Sequence, residues 1–430
     1  IPSGATLQNC GTATGFGLSF CTTVKTSPFT ATAGKGFFIN TGSAVTVTLP
    51  ASPSVGNEVI VVDSTGQAAC NAITLGRNGS KIKGGCQDLL MTTNRGGLRI
   101  VYSGSSQGWV TATAGNDATM QPAFITATGG TESTSGDFKI HTFTSDGTFT
   151  VSKLAVASAN NKVSYIVVAG GGSGAPSQGC VGTSGGGAGG FREGRNSPVD
   201  TYTASPLAAA DSGLTVTASA FTVTVGAGGT AGAITYPNSK GVNGSNSIFS
   251  TITSAGGGFG TGGGAPGPSG TQVPGGPGGS GGGGGTCGNS GSSADPGGTG
   301  NTPPVSPAQG TNGGSGAAAA ANNGGGGGGA TASGTNGTSP GGCGGAGATT
   351  NITGSPVAYA GGGGGGNSPS YASTGGTGGG AAGKTRSSGA AANAGTVNTG
   401  GGGAGSSGTP SNTAGGLGGS GVVIIRYKFQ

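Results

Sequence analysis

Charged side chains make up only 7% of this 430-residue chain, and aromatic side chains only 5%. Ordinary globular domains carry about 25% charged residues, so the composition is far from the usual one. The 17 Lys and Arg outnumber the 11 Asp and Glu, but they are spread along the chain and do not alternate with aromatic residues. A nucleic-acid-binding surface needs a clustered basic patch. We therefore expect no nucleic-acid partner.

Long apolar runs and metal-ligand patterns are also missing. No apolar stretch reaches the roughly 18 residues of a membrane-spanning helix, so we expect no membrane insertion. The chain has one histidine, His141, and its seven cysteines form no C-x-x-C pair. These spacings are not those of zinc sites. We expect neither a metal nor any other cofactor.

The cysteines are better explained as disulfides. Two pairs close short loops within β-type sequence: Cys10 with Cys21, and Cys70 with Cys86. Three more lie in glycine-rich surroundings, where their pairing stays open and at least one thiol is left over: Cys180, Cys287 and Cys343. Because disulfides persist in oxidising environments, the sequence predicts an extracellular location.

The N-terminal third contains short strand patterns separated by turn residues. Strands are predicted at residues 37–39, 45–49, 59–62, 73–75, 98–102 and 109–110. In the second of these, alternation places Val45, Val47 and Leu49 on one face, and prolines at 50 and 53 end the strand. We expect an attachment segment over residues 1–30 and an antiparallel β domain over residues 31–115.

A second β segment follows over residues 116–160. Residues 141–151 place Asp146-Gly147 between two alternating runs. This dipeptide is a strong hairpin signal, so we expect a β-hairpin connector here. A further strand is predicted at residues 163–169.

The remaining part, residues 161–430, holds most of the 107 glycines of the chain, with runs at 281–285, 324–329 and 361–366. Such composition is also typical of flexible linkers and low-complexity tails. If the runs are ordered, each glycine loses about 1–2 kcal/mol of backbone entropy and has no side chain to bury in return. Backbone hydrogen bonds and close backbone packing would have to compensate.

Three regular arrangements can pair glycine backbones. Collagen needs glycine at every third position, which these runs violate, and glycine sheets lack side chains to pack. The third is polyglycine II, in which helices with three residues per turn bond to their neighbours. We expect a bundle of such helices, with nearly pure glycine inside and Ala, Ser, Thr, Asn or Pro outside. The fold class predicted is mainly β plus polyglycine II, with almost no α-helix, and residues 421–430 closing the domain as a strand paired with 163–169.

Residues 165–174 (YIVVAGGGSG), the glycine blocks and residues 418–429 (GGSGVVIIRYKF) resemble the glycine-rich domain of phage tail-fibre and adhesin proteins, in the style of marine phages. Residues 45–53, 57–63, 77–82 and 98–109 are similar to a β module of phage structural proteins. The resemblance implies a sandwich of polyglycine II helices whose distal loops touch the host receptor.

Sequence matches to catalytic motifs are weak. Residues 378–385 (GGGAAGKT) match a phosphate-binding loop, but no apolar strand precedes them and no helix former follows. His141 alternates with Phe143 as an ordinary strand residue would. Carboxylates are too sparse for a glycan-cleaving pair, so we expect no enzyme.

Three tyrosines in polar surroundings are candidate receptor contacts: Tyr236, Tyr359 and Tyr371. Aromatic side chains in loops suit sugar or protein contact; the alternative is that they cover packing at the loop ends. The function expected is that of a virion tail fibre or tip adhesin, which recognises a host-surface glycan or protein receptor. Its expected partners are other virion proteins and copies of itself, for which a trimer is one option. A capsid or tail decoration protein and a secreted filament subunit are the alternatives.

Overall fold

The computed structural model describes eleven stretches of the chain. These are residues 19–112, 120–177, 182–234, 239–262, 272–286, 294–317, 323–338, 341–366, 372–385, 391–407 and 413–430. They contain one short 3-10 turn, Ser158–Asn161, and no α-helix. The protein is therefore nearly all β and extended chain, as the sequence predicts.

The chain divides into two compact units. The first comprises residues 1–126, 153–161 and 429–430, and the second comprises residues 127–152 and 162–428. Residues 127–152, which we expected in a connector, thus pack with the glycine-rich part.

The first unit contains two five-stranded sheets. One has the order β1-β3-β5-β8-β9 and the other β10-β7-β6-β4-β2. The strands are β1 (Ser19–Phe20), β2 (Phe29–Thr30), β3 (Lys35–Ile39), β4 (Val45–Thr48), β5 (Glu58–Asp63), β6 (Ile73–Gly76), β7 (Leu89–Met91), β8 (Gly97–Tyr102), β9 (Trp109–Thr111) and β10 (Met120–Pro122).

The expectation of an antiparallel β domain holds for the later strands of these sheets, while the earlier strands pair parallel. Strands β3 to β6 alternate between the two sheets, so that every second strand of the chain belongs to the same sheet. As a result, β3 pairs parallel with β5, and β4 pairs parallel with β6. Only the later strands pair antiparallel, beginning with β5 and β8. The alternating residues of both sheets meet in one core, which includes Val45, Val47, Ile73 and Trp109.

The disulfide predicted between Cys70 and Cys86 is not formed, and Cys21, Cys70 and Cys86 are free thiols. The reason lies in the β6–β7 ladder, which pairs Ile73 with Met91. Cys70 lies at one end of this ladder, where the amide of Ala69 bonds to Asn94, and Cys86 lies at the other, where that of Arg77 bonds to Asp88. Along strands that rise ~3.3 Å per residue, the two thiols are too far apart to bond. Cys10 lies outside the described residues.

The second unit is built around a sheet with the order β12-β13-β23-β15-β16. The remaining strands of the chain, which form this sheet and two others, are β11 (Thr126–Thr128), β12 (Thr131–Ser135), β13 (Phe138–Phe143), β14 (Gly147–Lys153), β15 (Lys162–Val168), β16 (Phe191–Gly194), β17 (Leu214–Thr215), β18 (Ala220–Thr224), β19 (Ser247–Phe249), β20 (Ile252–Ser254), β21 (Ala348–Thr350), β22 (Val357–Tyr359) and β23 (Val422–Lys428).

The predicted pairing of the last strand is confirmed. Strand β23 runs antiparallel to β15, with Val168 opposite Val422 and Ser164 opposite Arg426. The two strands enclose the glycine-rich sequence between them, so its first and last segments start from neighbouring positions.

The predicted hairpin around Asp146-Gly147 is wrong. Strand β13 pairs with β12 and β23, whereas β14 pairs with β18 in another sheet. The Asp146 carboxylate accepts the amide of Val225 (2.8 Å), which holds the Asp-Gly turn against the end of β18 instead. The hairpin that forms is β12–β13, which turns at Gly136 with φ 58°.

Between these strands lie extended segments that bond to their neighbours and not within themselves. Residues 182–190, all of them described, show the rule: amides three residues apart donate to the same neighbour. Thr183, Gly186 and Gly189 donate to residues 400–406; Ser184, Gly187 and Gly190 to residues 255–261; and Gly185 and Ala188 to residues 325–328. A three-residue repeat without internal bonds is the pattern that polyglycine II requires.

Candidate functional site

The glycine-rich bundle consists of the packed extended segments between residues 169 and 421. Residues 182–190 form its central segment. Besides donating to three neighbours, the central segment accepts amides from residues 169–175, 280–283 and 363–366. Six surrounding segments therefore satisfy its backbone in all directions, and every residue of it is buried.

The three glycine runs of the sequence lie inside the bundle. Residues 281–285, 324–329 and 361–366 are buried along their whole length. A Cβ on Gly327 would collide with the carbonyl oxygen of Gly186, and one on Gly363 with that of Gly403. Glycine is thus required by the distance between backbones, because any side chain would push neighbouring segments apart.

Buried hydroxyl groups connect segments where glycine is replaced. The Ser184 hydroxyl lies within 2.8 Å of the Thr261 carbonyl and 2.6 Å of the Gly283 carbonyl, which belong to two different neighbours. The Thr183 hydroxyl donates to the Ala175 carbonyl (2.7 Å). A buried hydroxyl is tolerated only with such partners, so these side chains strengthen the bundle at fixed positions.

On the outer faces of the bundle, asparagine side chains accept hydrogen bonds from backbone amides. Asn243 and Asn246 are exposed and three residues apart in sequence. Their amide oxygens accept the backbone amides of Phe259 (2.8 Å) and Gly256 (2.9 Å). Each side chain thus replaces a carbonyl that a further segment would have supplied.

Residues that flank three connections of the chain lie together at one end of the bundle. Ser177 bonds to Thr413, Gly182 bridges to Ser407, and the amide of Gly366 donates to Thr183. These residues flank the connections 178–181, 408–412 and 367–371, which lie outside the described residues. Tyr236 and Tyr371 also lie outside them, so their predicted role in receptor contact stays a prediction.

Tyr359 differs from what we expected of a receptor contact. It ends strand β22 and is only 6% exposed, packed in a small apolar core with Phe191, Ile352 and Val422. Burial raises its pKa to about 12. Tyr359 therefore serves packing, which is the alternative that the sequence left open.

A buried polar cluster connects the sheet of the second unit to the segment after β16. Glu193 accepts the Tyr202 hydroxyl (3.0 Å), the Thr350 hydroxyl (2.5 Å) and the Ser205 amide (2.8 Å). Burial and the adjacent Glu193 raise the pKa of Tyr202 far above its usual value. With both carboxylate oxygens hydrogen-bonded, Glu193 anchors the segment after β16 to its neighbours.

An ion pair completes this cluster. The Arg426 Nε lies 3.1 Å from both carboxylate oxygens of Asp200, and both side chains are almost fully buried. The guanidinium also lies over the Phe138 ring, 4.3 Å from its centroid. This pair was not predicted, although an arginine inside the apolar run VVIIRY is a signal that a buried partner exists.

His141 is a buried core residue. Its Nδ1 lies 2.6 Å from the Gly129 carbonyl, so this nitrogen carries the proton, and its Nε2 lies 3.2 Å from the Tyr427 hydroxyl. Burial lowers the pKa of His141 below its usual value. No serine or cysteine is bonded to the ring among the described residues.

The glycines of the phosphate-loop match are occupied in the bundle. The amides of Gly380, Ala381 and Gly383 donate to carbonyls of Gly376, Gly402 and Ser373. They cannot cradle a phosphate at the same time. Within the described stretches, no three His, Cys, Asp or Glu side chains come together as metal ligands, and no helix has the length and apolarity to cross a membrane.

These features define a scaffold, in which the backbone of glycine-rich segments is used for packing and polar side chains serve to fix them. The chain belongs to the glycine-rich domain family, whose model matches residues 142–428. No curated protein matches the chain.

Proposed function

We propose that this protein is a phage virion component of the tail-fibre or tip-adhesin kind, which recognises a host surface. The observation that carries the proposal is that residues flanking three connections of the chain lie together at one end of a bundle whose interior is closed by backbone bonds. A body closed by backbone bonds suits recognition, because the loops that connect its segments can vary without disturbing the packing.

The sequence resemblance and the family membership support the same proposal. Membership in the glycine-rich domain family concerns the bundle, and the resemblance to tail-fibre and adhesin proteins adds the location on a virion. Under this proposal the protein is extracellular, has no catalytic activity, and meets a glycan or protein receptor.

The test uses phage particles carrying a double substitution, Tyr236→Ala with Tyr371→Ala. The matched control is Val397→Ala, because Val397 is 67% exposed and lies in the turn that precedes residues 400–406, at the other end of the bundle. We expect the double variant to assemble normally and to adsorb to host cells at least about tenfold more slowly, as for loss of central aromatic contacts. The control should adsorb like the parent.

Other outcomes decide between the alternatives. Unchanged adsorption of the double variant, together with antibody labelling over the capsid, would favour a decoration protein. Labelling along filaments outside cells would favour a filament subunit. Either result overturns the adhesin proposal.

A further inference from the structure

A concavity of about 450 Å³ lies beside the segment that follows β16. It is lined by Arg195, residues 201–205 and residues 208–210. The volume is in the range of sites that hold small molecules. We call it the Arg195 pocket.

Arg195 is the charged residue of this pocket and is half-buried. One nitrogen of its guanidinium, Nη1, donates to the Tyr202 carbonyl (2.8 Å), which fixes the head group at the pocket wall. Within the described part of the chain, no carboxylate lies at ion-pair distance from it. The positive charge is thus held in place but not neutralised.

The acidic side chains of this region are all bound elsewhere. Glu193 accepts the Tyr202 and Thr350 hydroxyls, Asp200 pairs with Arg426, and Asp211 pairs with Lys162 at 3.1 Å. None of them can turn to Arg195 without breaking another contact. The Arg195 guanidinium is therefore available to bind an anion from outside the chain.

The rest of the lining narrows the chemistry of that anion. Thr201 and Thr203 are exposed and bring hydroxyl groups, while residues 208–210 are three alanines that bring methyl groups. A guanidinium presents a planar fork that matches a carboxylate. Hydroxyls and methyls beside it suit a ring with hydroxyl groups and an apolar face.

We propose that the Arg195 pocket binds the carboxylate of an acidic sugar, of the uronic or sialic acid class. The inference goes beyond the proposed function, since the pocket lies in the body of the second unit and would serve a fibre, a decoration protein or a filament subunit alike. Arg195 would hold the carboxylate, and the sugar ring would lie over the alanines.

The test measures binding of glucuronate and N-acetylneuraminate to the full chain by calorimetry and saturation-transfer NMR. Arg195→Gln removes the fork, and Arg192→Gln is the matched control, because Arg192 lies in β16 and its Nη1 donates to the Thr253 carbonyl (3.4 Å). Ala208→Leu fills the concavity and leaves the Arg195–Tyr202 bond in place. Thermal melts check that each variant is folded.

We expect saturable binding of at least one acidic sugar by the parent and by Arg192→Gln. Arg195→Gln should bind about tenfold more weakly or worse, as for a lost hydrogen bond to a charged group. Ala208→Leu should also weaken binding about tenfold, because the leucine side chain occupies the space of the sugar ring. If glucose bound equally well, the proposed recognition of a carboxylate would be wrong. If sulfate bound equally well, the proposed recognition of a sugar ring would be wrong. Absence of saturable binding, or binding unchanged in both pocket variants, would overturn the pocket itself.

Discussion

Arg426 and Asp200 form an ion pair in which one guanidinium nitrogen lies 3.1 Å from both carboxylate oxygens, with side-chain exposures of 6% and 2%. Arg426 belongs to the last strand, and Asp200 to the segment after β16, so the pair joins parts of the second unit that are far apart in sequence. Ser164 adds a third contact by donating to the same carboxylate (2.8 Å).

Removing one partner of this pair should destabilise the second unit strongly. Asp200→Ala leaves the Arg426 charge buried without a partner, and we expect a loss of about 3–5 kcal/mol in the free energy of unfolding. Asp211→Ala breaks the exposed pair with Lys162 and should cost at most about 1 kcal/mol. Urea unfolding followed by circular dichroism compares the two; equal losses would contradict the expected role of burial.

A methyl group inside the bundle should be costly. Gly186→Ala and Gly327→Ala each place a Cβ against a backbone carbonyl oxygen, those of Gly172 and Gly186 respectively. We expect each to lower the free energy of unfolding by about 1–3 kcal/mol or more. The control is Thr230→Ala, at an exposed position of an outer segment, with an expected change within about 0.5 kcal/mol. Calorimetric melting measures all three, and tolerance of both inner alanines would argue against close backbone packing.

Acidification should destabilise the protein through its only histidine. Burial lowers the pKa of His141, while the Gly129 carbonyl and the nearby Glu132 act against this and Lys139 adds to it. The unfolded chain therefore takes up the proton first, so the free energy of unfolding falls as pH drops below about 6.5. The slope is at most ~1.4 kcal/mol per pH unit. NMR titration of the ring checks the sign: a pKa at or above 6.5 would contradict it.

Asp63 should stabilise the first unit above about pH 4 and lose this effect in acid. Burial alone would raise its pKa, but hydrogen bonds from the Thr41 hydroxyl and from the amides of Gly66, Arg95 and Ala68 together lower it to about 2. This contribution, about 2 kcal/mol, is present above pH 4 and is lost as pH falls towards 2.

Asp63→Asn tests this by removing the charge and keeping the shape. We expect the variant to be less stable than the parent at pH 6 and the difference to shrink at pH 2. Glu58→Gln is the control, because Glu58 forms an exposed pair with Arg99 whose loss costs at most about 1 kcal/mol. A difference that is the same at both pH values would refute the proton linkage.

The thiols of Cys70 and Cys86 should react with a thiol reagent in the native, unreduced protein, since both are exposed and free. Quantitative labelling followed by peptide mass mapping gives the result for each residue. Cys70→Ser should leave the melting temperature unchanged with or without reductant. Recovery of peptides linked through a Cys70–Cys86 disulfide would contradict this expectation.

Several features of the fold could be predicted from local sequence. The alternation of apolar residues at Val45, Val47 and Leu49 predicted the buried face of β4, and the apolar run 422–425 predicted the last strand. The glycine runs predicted inner segments because only a residue without a side chain allows backbones to approach this closely. In these cases the property is carried by the residues themselves, whatever they later contact.

Only the tertiary structure decided which partners these elements take. Asp146-Gly147 carries the hairpin signal, yet its flanking strands go to different sheets, and Tyr359 looks like a loop aromatic, yet it is buried. The ladder register, not the spacing in sequence, keeps Cys70 and Cys86 apart. Such outcomes depend on residues distant in sequence, as the pair of Asp200 with Arg426 does, and composition and local pattern do not identify those partners.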